Sequence, residues 1–63
     1  MRRTWLKAIR QEAGITQAEL GHAVGLSRMY IALVEGGQRN PSVPVAKKIA
    51  AALGFDWTRF FED

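Results

Sequence analysis

The chain has 63 residues, of which 48% are hydrophobic and 24% are charged, and its formal net charge at pH 7 is +3. This length corresponds to one small domain, and the apolar content is too high for a disordered chain. A domain of this size has little interior for a deep catalytic cleft, so the sequence argues against an enzyme.

Residue types that build covalent, metal and membrane sites are scarce. The sequence contains no cysteine, and its one histidine, His22, lacks the partner ligands that a metal site needs. We therefore expect no metal and no other cofactor. The apolar runs are too short for a membrane span, and no signal-peptide segment follows Arg2 and Arg3, so we expect a cytoplasmic protein.

Charge is unevenly distributed along the chain. Lys and Arg outnumber Asp and Glu within residues 1–48, whereas residues 49–63 are net acidic. The excess of positive charge in residues 1–48 suits a polyanionic partner such as nucleic acid, but a solvated surface of mixed charge has a similar composition. Charge alone leaves both alternatives open.

Five helices are predicted from their start signals. The first runs from about Thr4 without a clear cap. Four polar residues flanked by apolar ones are predicted N-caps of the others: Thr16, Ser27, Ser42 and Asp56. Thr16 and Glu19 have the spacing of a capping box, and Pro44 is tolerated in the first turn after Ser42.

Glycines predict where the first four helices end. They are Gly14, Gly25, the pair Gly36 and Gly37, and Gly54, each able to take the left-handed conformation of a helix end. No stretch alternates apolar and polar residues long enough for a strand. The sequence therefore predicts an all-α fold of five short helices in a single domain, residues 1–63.

Apolar residues at helical spacing are predicted to converge on one core. They are Leu6, Ile9, Ala13, Leu20, Val24, Ile31, Val34, Ile49 and Leu53. Trp57, Phe60 and Phe61 are expected to cover the open end of that core. A dimer contact near Trp57 and Phe60 is the alternative for these rings.

Residues 16–36 contain two short helices separated by a glycine-containing turn of the length found in a helix-turn-helix. Further positions agree with one pattern from about residue 5 to residue 61: Leu6, Arg10, Gly14, Thr16, Gln17, Glu19, Leu20, Gly25, Leu26, Ser27, Ile31, Glu35, Gly37, Arg39, Pro41, Ser42, Lys48, Ile49, Ala50, Leu53 and Gly54. In these positions the chain resembles the Cro and lambda-repressor-like helix-turn-helix family, also called the XRE family.

The resemblance implies a compact five-helix DNA-binding domain. Its third helix, about residues 27–36, would enter the major groove, usually in a dimer on a two-fold symmetric operator. Phosphate contacts are implied for Thr16 and Gln17 at the start of the second helix and for Gln38, Arg39 and Asn40 after the third. The alternatives are a solvated Gln17 and an Arg39 paired with a carboxylate inside the domain.

Arg10 and Glu35 resemble the family's pair that links the first helix to the end of the third. They are therefore expected to form a structural ion pair, and not to contact DNA. Losing one partner of such a buried pair costs roughly 3 to 5 kcal/mol.

Mapping the third helix at about 100° per residue predicts its outward face. The face comprises Arg28, Met29, Ala32, Leu33 and Gly36. Arg28 is the candidate partner for a guanine, and Met29, Ala32 and Leu33 could touch thymine methyl groups. The family more often has polar side chains here, so more specificity is left to groove shape and backbone contacts.

The leading hypothesis is a sequence-specific regulator of transcription that binds double-stranded DNA, of phage or bacterial repressor type and a homodimer at least on DNA. It would be a minimal regulator or the DNA-binding piece of a larger protein. The alternative is a protein-interaction module on the same fold, antitoxin-like or anti-repressor-like, whose third helix docks a protein partner. Exposed Met29 and Leu33 favour the module, whereas Gln17, Arg39 and the basic balance favour DNA.

Overall fold

The computed structural model describes residues 2–62. Four α-helices and one short 3-10 helix follow one another: α1 (Thr4–Glu12), α2 (Gln17–Val24), α3 (Arg28–Glu35), α4 (Val43–Leu53) and the 3-10 helix (Trp57–Phe61). No β-strand occurs in these residues, which agrees with the predicted all-α class.

The predicted count of five helices is not confirmed, because the last segment is a 3-10 helix of 5 residues. Asp56 caps it as expected, since its Oδ1 accepts from the Thr58 N–H at 3.0 Å. The Arg59 N–H then donates to the Asp56 carbonyl at 3.1 Å, a bond over three residues. Aromatic residues and Thr have modest α-helix propensity, and so short a segment readily adopts the tighter form.

Side-chain caps begin α2, α3 and α4 as predicted. The capping box of α2 forms in both directions: the Thr16 Oγ1 accepts from the Glu19 N–H at 3.0 Å, and the Glu19 Oε1 accepts from the Thr16 N–H at 2.8 Å. Ser27 and Ser42 each accept from the backbone N–H three residues further on, at 3.0 and 3.4 Å. No side chain caps α1.

Glycines end the helices in two ways. Gly25 and Gly54 are left-handed caps of α2 and α4, with φ of 74° and 80°. At the end of α3, Gly36 stays right-handed with φ of −77°, and Gly37 makes the reversal with φ of 82°. The glycine pair thus separates the helix end from the turn.

The core lies between α1, α2, α3 and α4 and includes most of the residues predicted for it. Those buried as predicted are Leu6, Leu20, Val24, Ile31, Val34 and Ile49. Leu53 packs against them, and Ile9 is half-buried. The prediction for Ala13 is wrong: it is exposed, because it is the C-cap of α1, where the chain turns into Gly14.

Aromatic rings close the end of the core beside the 3-10 helix. Trp5, Phe55 and Phe60 pack with ring centroids 5.3, 5.4 and 5.5 Å apart. Phe60 is only 6% exposed and lies inside the core of its own chain, as expected of a ring that covers the open end of the core, and not of the alternative, a dimer contact. Trp57 is half-buried and Phe61 is 50% exposed, which makes Phe61 the more accessible ring.

Candidate nucleic-acid interface

The turn between α2 and α3 packs closely on α2 at a glycine. Gly21 is buried, and its carbonyl accepts from the Leu26 N–H at 2.7 Å. A Cβ at residue 21 would lie 2.7 Å from the Leu26 carbonyl oxygen and 3.1 Å from the Ser27 carbonyl carbon. The turn can approach this closely only because Gly21 has no side chain. Gly21 is not among the residues predicted from the sequence.

The outward face of α3 carries the residues that the helical mapping assigned to it. Arg28 is exposed and Met29 is 68% exposed. Ala32 and Leu33 are half-buried on the same face, while the apolar residues of the opposite face are in the core. One strong hydrogen-bond donor therefore stands beside a largely apolar surface.

A shallow depression joins the start of α3 to the start of α2. It is lined by Arg10, Gln11, Gly14, Ile15, Thr16, Gln17, Ala18 and Arg28. Thr16 and Gln17, expected at phosphates, thus lie near Arg28, expected at bases. The N–H groups of Gln17 and Ala18 are in the first turn of α2, where the helix supplies no carbonyl partners, so this end suits an anion.

A buried ion pair links α1 to the last residue of α3. The Arg10 Nε donates to the Glu35 Oε2 at 2.6 Å, and the Arg10 Nη2 donates to Oε1 at 3.3 Å. The Arg10 Nη1 also donates to the Ile15 carbonyl at 2.8 Å, and both charged residues are 7% exposed. This is the geometry expected of a structural pair, directed away from solvent.

Gln17 is held by the same pair. Its Nε2 donates to the Glu35 Oε1 at 3.1 Å, and the residue is half-buried. Gln17 is therefore not freely solvated. Its amide group still has a second N–H hydrogen and an oxygen that can bond another partner. The Thr16 hydroxyl is engaged in the capping box, where its oxygen accepts from the Glu19 N–H.

Arg3, which the sequence analysis missed, holds the loop that follows α3. Its Nη1 donates to the Val34 carbonyl at 2.8 Å and to the Arg39 carbonyl at 3.0 Å, and its Nη2 donates to the Asn40 Oδ1 at 2.6 Å. The Arg3 N–H donates to the Glu35 carbonyl at 2.8 Å. In the sequence Arg3 is one more positive charge, and only the folded chain brings it to residues 34–40.

The three loop residues expected at phosphates differ in how they are held. With its amide nitrogen turned toward α3, Gln38 donates to the carbonyls of Leu33 and Gly36, both at 3.3 Å. Arg39 is exposed and lies 5.7 Å from the centre of the Tyr30 ring, and it forms no ion pair within residues 2–62. Arg39 is thus the loop side chain with a free positive charge.

Metal-binding and membrane-spanning features are both missing from the described residues. Among residues 2–62, no group of His, Asp and Glu side chains is arranged to hold a metal ion. In that part of the chain, no helix combines the length and apolar character needed to cross a bilayer.

Comparison with known proteins agrees with this geometry, because a model of a helix-turn-helix family matches residues 6–60. The chain belongs to the XRE-type helix-turn-helix family. An uncharacterized HTH-type transcriptional regulator of Bacillus subtilis (strain 168), YqaF, is 54% identical over 63 residues, which are 100% of this chain and 83% of YqaF.

Two further relatives of this XRE-type chain have more specific names. The immunity repressor protein of Bacillus phage phi105 is 43% identical over 49 residues, which are 78% of this chain and 34% of the repressor. The control protein C.MunI of a Mycoplasma species is 34% identical over 59 residues, covering 92% of this chain and 80% of C.MunI. The similarity therefore extends to regulators of different overall length.

Proposed function

We propose that this XRE-type domain is a sequence-specific transcriptional regulator, of the repressor type, whose α3 enters the major groove of duplex DNA. The observation that carries the proposal is the exposed Arg28 at the start of α3, next to the anion-suited start of α2. The names of its relatives, a transcriptional regulator, an immunity repressor and a control protein, support the same function.

The residues divide into those that read bases and those that hold phosphates. Arg28 has the fork of donors that fits guanine O6 and N7, and exposed Met29 suits a thymine methyl group. Gln17 and Arg39 are the phosphate contacts, the first through its remaining amide hydrogen and the second through its free charge. Phosphate contacts fix the register of α3 on the duplex but carry no sequence information.

The regulator would act as a dimer on a two-fold symmetric operator. One domain reads only a few base pairs, and two half-sites about 34 Å apart give the specificity that one lacks. Exposed Phe61, beside half-buried Trp57, is the candidate contact between the two copies. Phe61→Ser is then expected to weaken binding to a full operator but not to a half-site, in a footprinting titration.

A titration against pooled random duplexes at two salt concentrations tests DNA binding. The logarithm of the binding constant should fall by about 0.9 per phosphate contact for each unit of log salt. No binding at low salt, or binding that salt does not weaken, would refute the proposal.

Selection of bound sequences tests the division of roles. Arg28→Ala should weaken binding by about 1 to 3 kcal/mol and relax the preference at one base pair per half-site, whereas Gln17→Ala should weaken all sequences alike. Arg59→Ala is the matched control, since it removes the same type of residue from the 3-10 helix, outside the surface proposed to contact DNA. It should leave the sequence preference intact.

One observation favours a second candidate, a protein-interaction module. Met29 is 68% exposed on the outward face of α3, as an apolar anchor for a protein partner would be. In that case Leu33→Glu abolishes a protein complex, and the sequence preference of any DNA binding is the same for Arg28→Ala as for the wild type. If Arg28→Ala instead alters the preferred DNA sequence, Arg28 reads bases and is not explained by a protein-interaction module.

A further inference from the structure

The contacts of Arg3 form a clamp on the end of α3 and the following loop. Two carbonyls and one side-chain oxygen accept from its guanidinium, at Val34, Arg39 and Asn40. Its backbone N–H adds a fourth bond, to the Glu35 carbonyl. The Arg3 guanidinium also lies 5.7 Å from the centre of the Phe60 ring, within the range of a cation–π contact.

Electrostatics explains why an arginine occupies this position at the end of α3. The carbonyls of Val34 and Glu35 belong to the last turn of α3, whose carbonyls lack partners within the helix and carry the negative end of its dipole. The Arg3 Nη1 donates to the Val34 carbonyl and the Arg3 backbone N–H donates to the Glu35 carbonyl, while the positive charge is attracted by the dipole. The Nη2 of Arg3 donates to the loop instead, at the Asn40 Oδ1.

The loop depends on this clamp for the placement of Arg39 and Asn40. The N–H groups of Gln38 and Arg39 both donate to the Leu33 carbonyl, at 3.0 and 3.2 Å, so the backbone holds the first half of the loop. Beyond this point, the Arg39 carbonyl and the Asn40 Oδ1 both accept from Arg3, and the next residue, Pro41, is buried. Arg3 therefore holds the carbonyl side of Arg39, while Leu33 holds its N–H, and together these bonds fix where the Arg39 side chain leaves the loop.

We infer that Arg3 is a positioning residue for DNA binding, acting through the phosphate contacts of the loop and not by touching DNA. The inference rests on the proposed function. It predicts that the contributions of Arg3 and Arg39 to the free energy of DNA binding are coupled, although their charged groups contact different partners. Because planar, forked geometry is required, Lys should not replace Arg3, even though it keeps the charge.

A double-mutant cycle on DNA affinity tests this coupling. Arg39→Ala and Arg3→Ala should each weaken binding to all duplexes by about tenfold at low salt, because the first removes a charge-assisted phosphate bond and the second misplaces the side chain that makes it. The double variant should also lose only about tenfold, and Arg3→Lys should behave like Arg3→Ala. The sequence preference should not change in any of them.

Arg2→Ala is the matched control, because Arg2 is exposed, adjacent and equally charged, and donates no hydrogen bond within residues 2–62. Its cost should add to that of Arg39→Ala. Amide hydrogen exchange gives a readout without DNA: Arg3→Lys should accelerate exchange at Gln38 and Arg39 and leave Leu20, in α2, unchanged.

The outcomes separate the inference from the function on which it rests. Failure of the wild type to bind any duplex overturns the proposed function, and the inference with it. Binding by the wild type with additive costs for Arg3→Ala and Arg39→Ala overturns the inference alone. Full affinity of Arg3→Lys for DNA would mean that the positive charge is sufficient. Unfolding of both Arg3 variants would mean that Arg3 maintains the fold. Either result also overturns the inference.

Discussion

The buried ion pair between α1 and α3 allows a quantitative prediction for stability. Arg10 has three acceptors, two on the Glu35 carboxylate at 2.6 and 3.3 Å and the Ile15 carbonyl at 2.8 Å. Glu35→Ala removes two of the three and leaves the guanidinium in a site where Arg10 is 7% exposed. Gln17 loses its internal partner in the same substitution.

The expected loss is large relative to the total stability of the domain. Removing one partner of a buried pair costs about 3 to 5 kcal/mol, because the remaining charge is uncompensated. Domains have roughly 0.05 to 0.15 kcal/mol of stability per residue, or about 3 to 9 kcal/mol at this length. Glu35→Ala should therefore lose about a third or more of the free energy of unfolding.

Urea unfolding followed by circular dichroism at 25 °C measures this loss. Glu12→Ala is the matched control, since it removes an exposed carboxylate from α1, and it should change the free energy of unfolding by less than about 0.5 kcal/mol. The double variant Arg10→Met with Glu35→Leu should recover most of the loss, because it leaves no buried charge. A loss below about 1 kcal/mol for Glu35→Ala would refute the reasoning.

Two further predictions concern the start and the middle of α2. Gly21→Ala should lower the midpoint of thermal unfolding, because the added Cβ would lie 2.7 Å from the Leu26 carbonyl oxygen. Ala is otherwise the better helix former by about 1 kcal/mol, so an unchanged or raised midpoint would contradict the close approach of the turn to α2. The Thr16 N–H, and then its hydroxyl, lower the pKa of Glu19 below its ordinary 4.5. The cap therefore stabilises the fold above that pH and is lost as the pH falls through the lowered pKa, so Glu19→Gln should flatten the acid limb of the stability profile more than Glu12→Gln does.

The parts of the fold that could be predicted are those that depend on neighbours in sequence. Thr16 and Glu19 are three residues apart, and each finds the other as soon as one helical turn forms. Leu20 and Val24 lie four residues apart on one face of α2, and both are buried. Arg10 and Glu35 are 25 residues apart, and the expectation that they pair came from the family resemblance.

The parts that failed depend on how elements meet in space. Phe60 and Phe61 are adjacent and equally apolar, and which ring enters the core depends on where Trp5 and Phe55 are. Ala13 has the right spacing for the core face of α1, but the helix ends there. For Arg3, the acceptors are 31 to 37 residues away, with no local pattern to connect them.

The position of these contacts on α3 connects stability with readout. Arg3 and Arg10 both hold the C-terminal end of the helix, whereas Arg28 is at its N-terminal end. With a rise of about 1.5 Å per residue, the helix is roughly 10 Å long, so a 10° tilt about Glu35 moves Arg28 by about 2 Å, enough to break the bidentate hydrogen bond that we propose between Arg28 and a guanine.

The double variant Arg10→Met with Glu35→Leu separates the two effects, because it restores stability without the directional bonds that orient α3. We expect it to remain folded, to bind unrelated duplexes nearly as well as the wild type, and to lose about tenfold in preference for the selected sequence. Competition titrations between selected and unrelated duplexes measure that ratio. A fully retained preference would mean that core packing alone orients α3, and that the buried pair contributes to stability but not to readout.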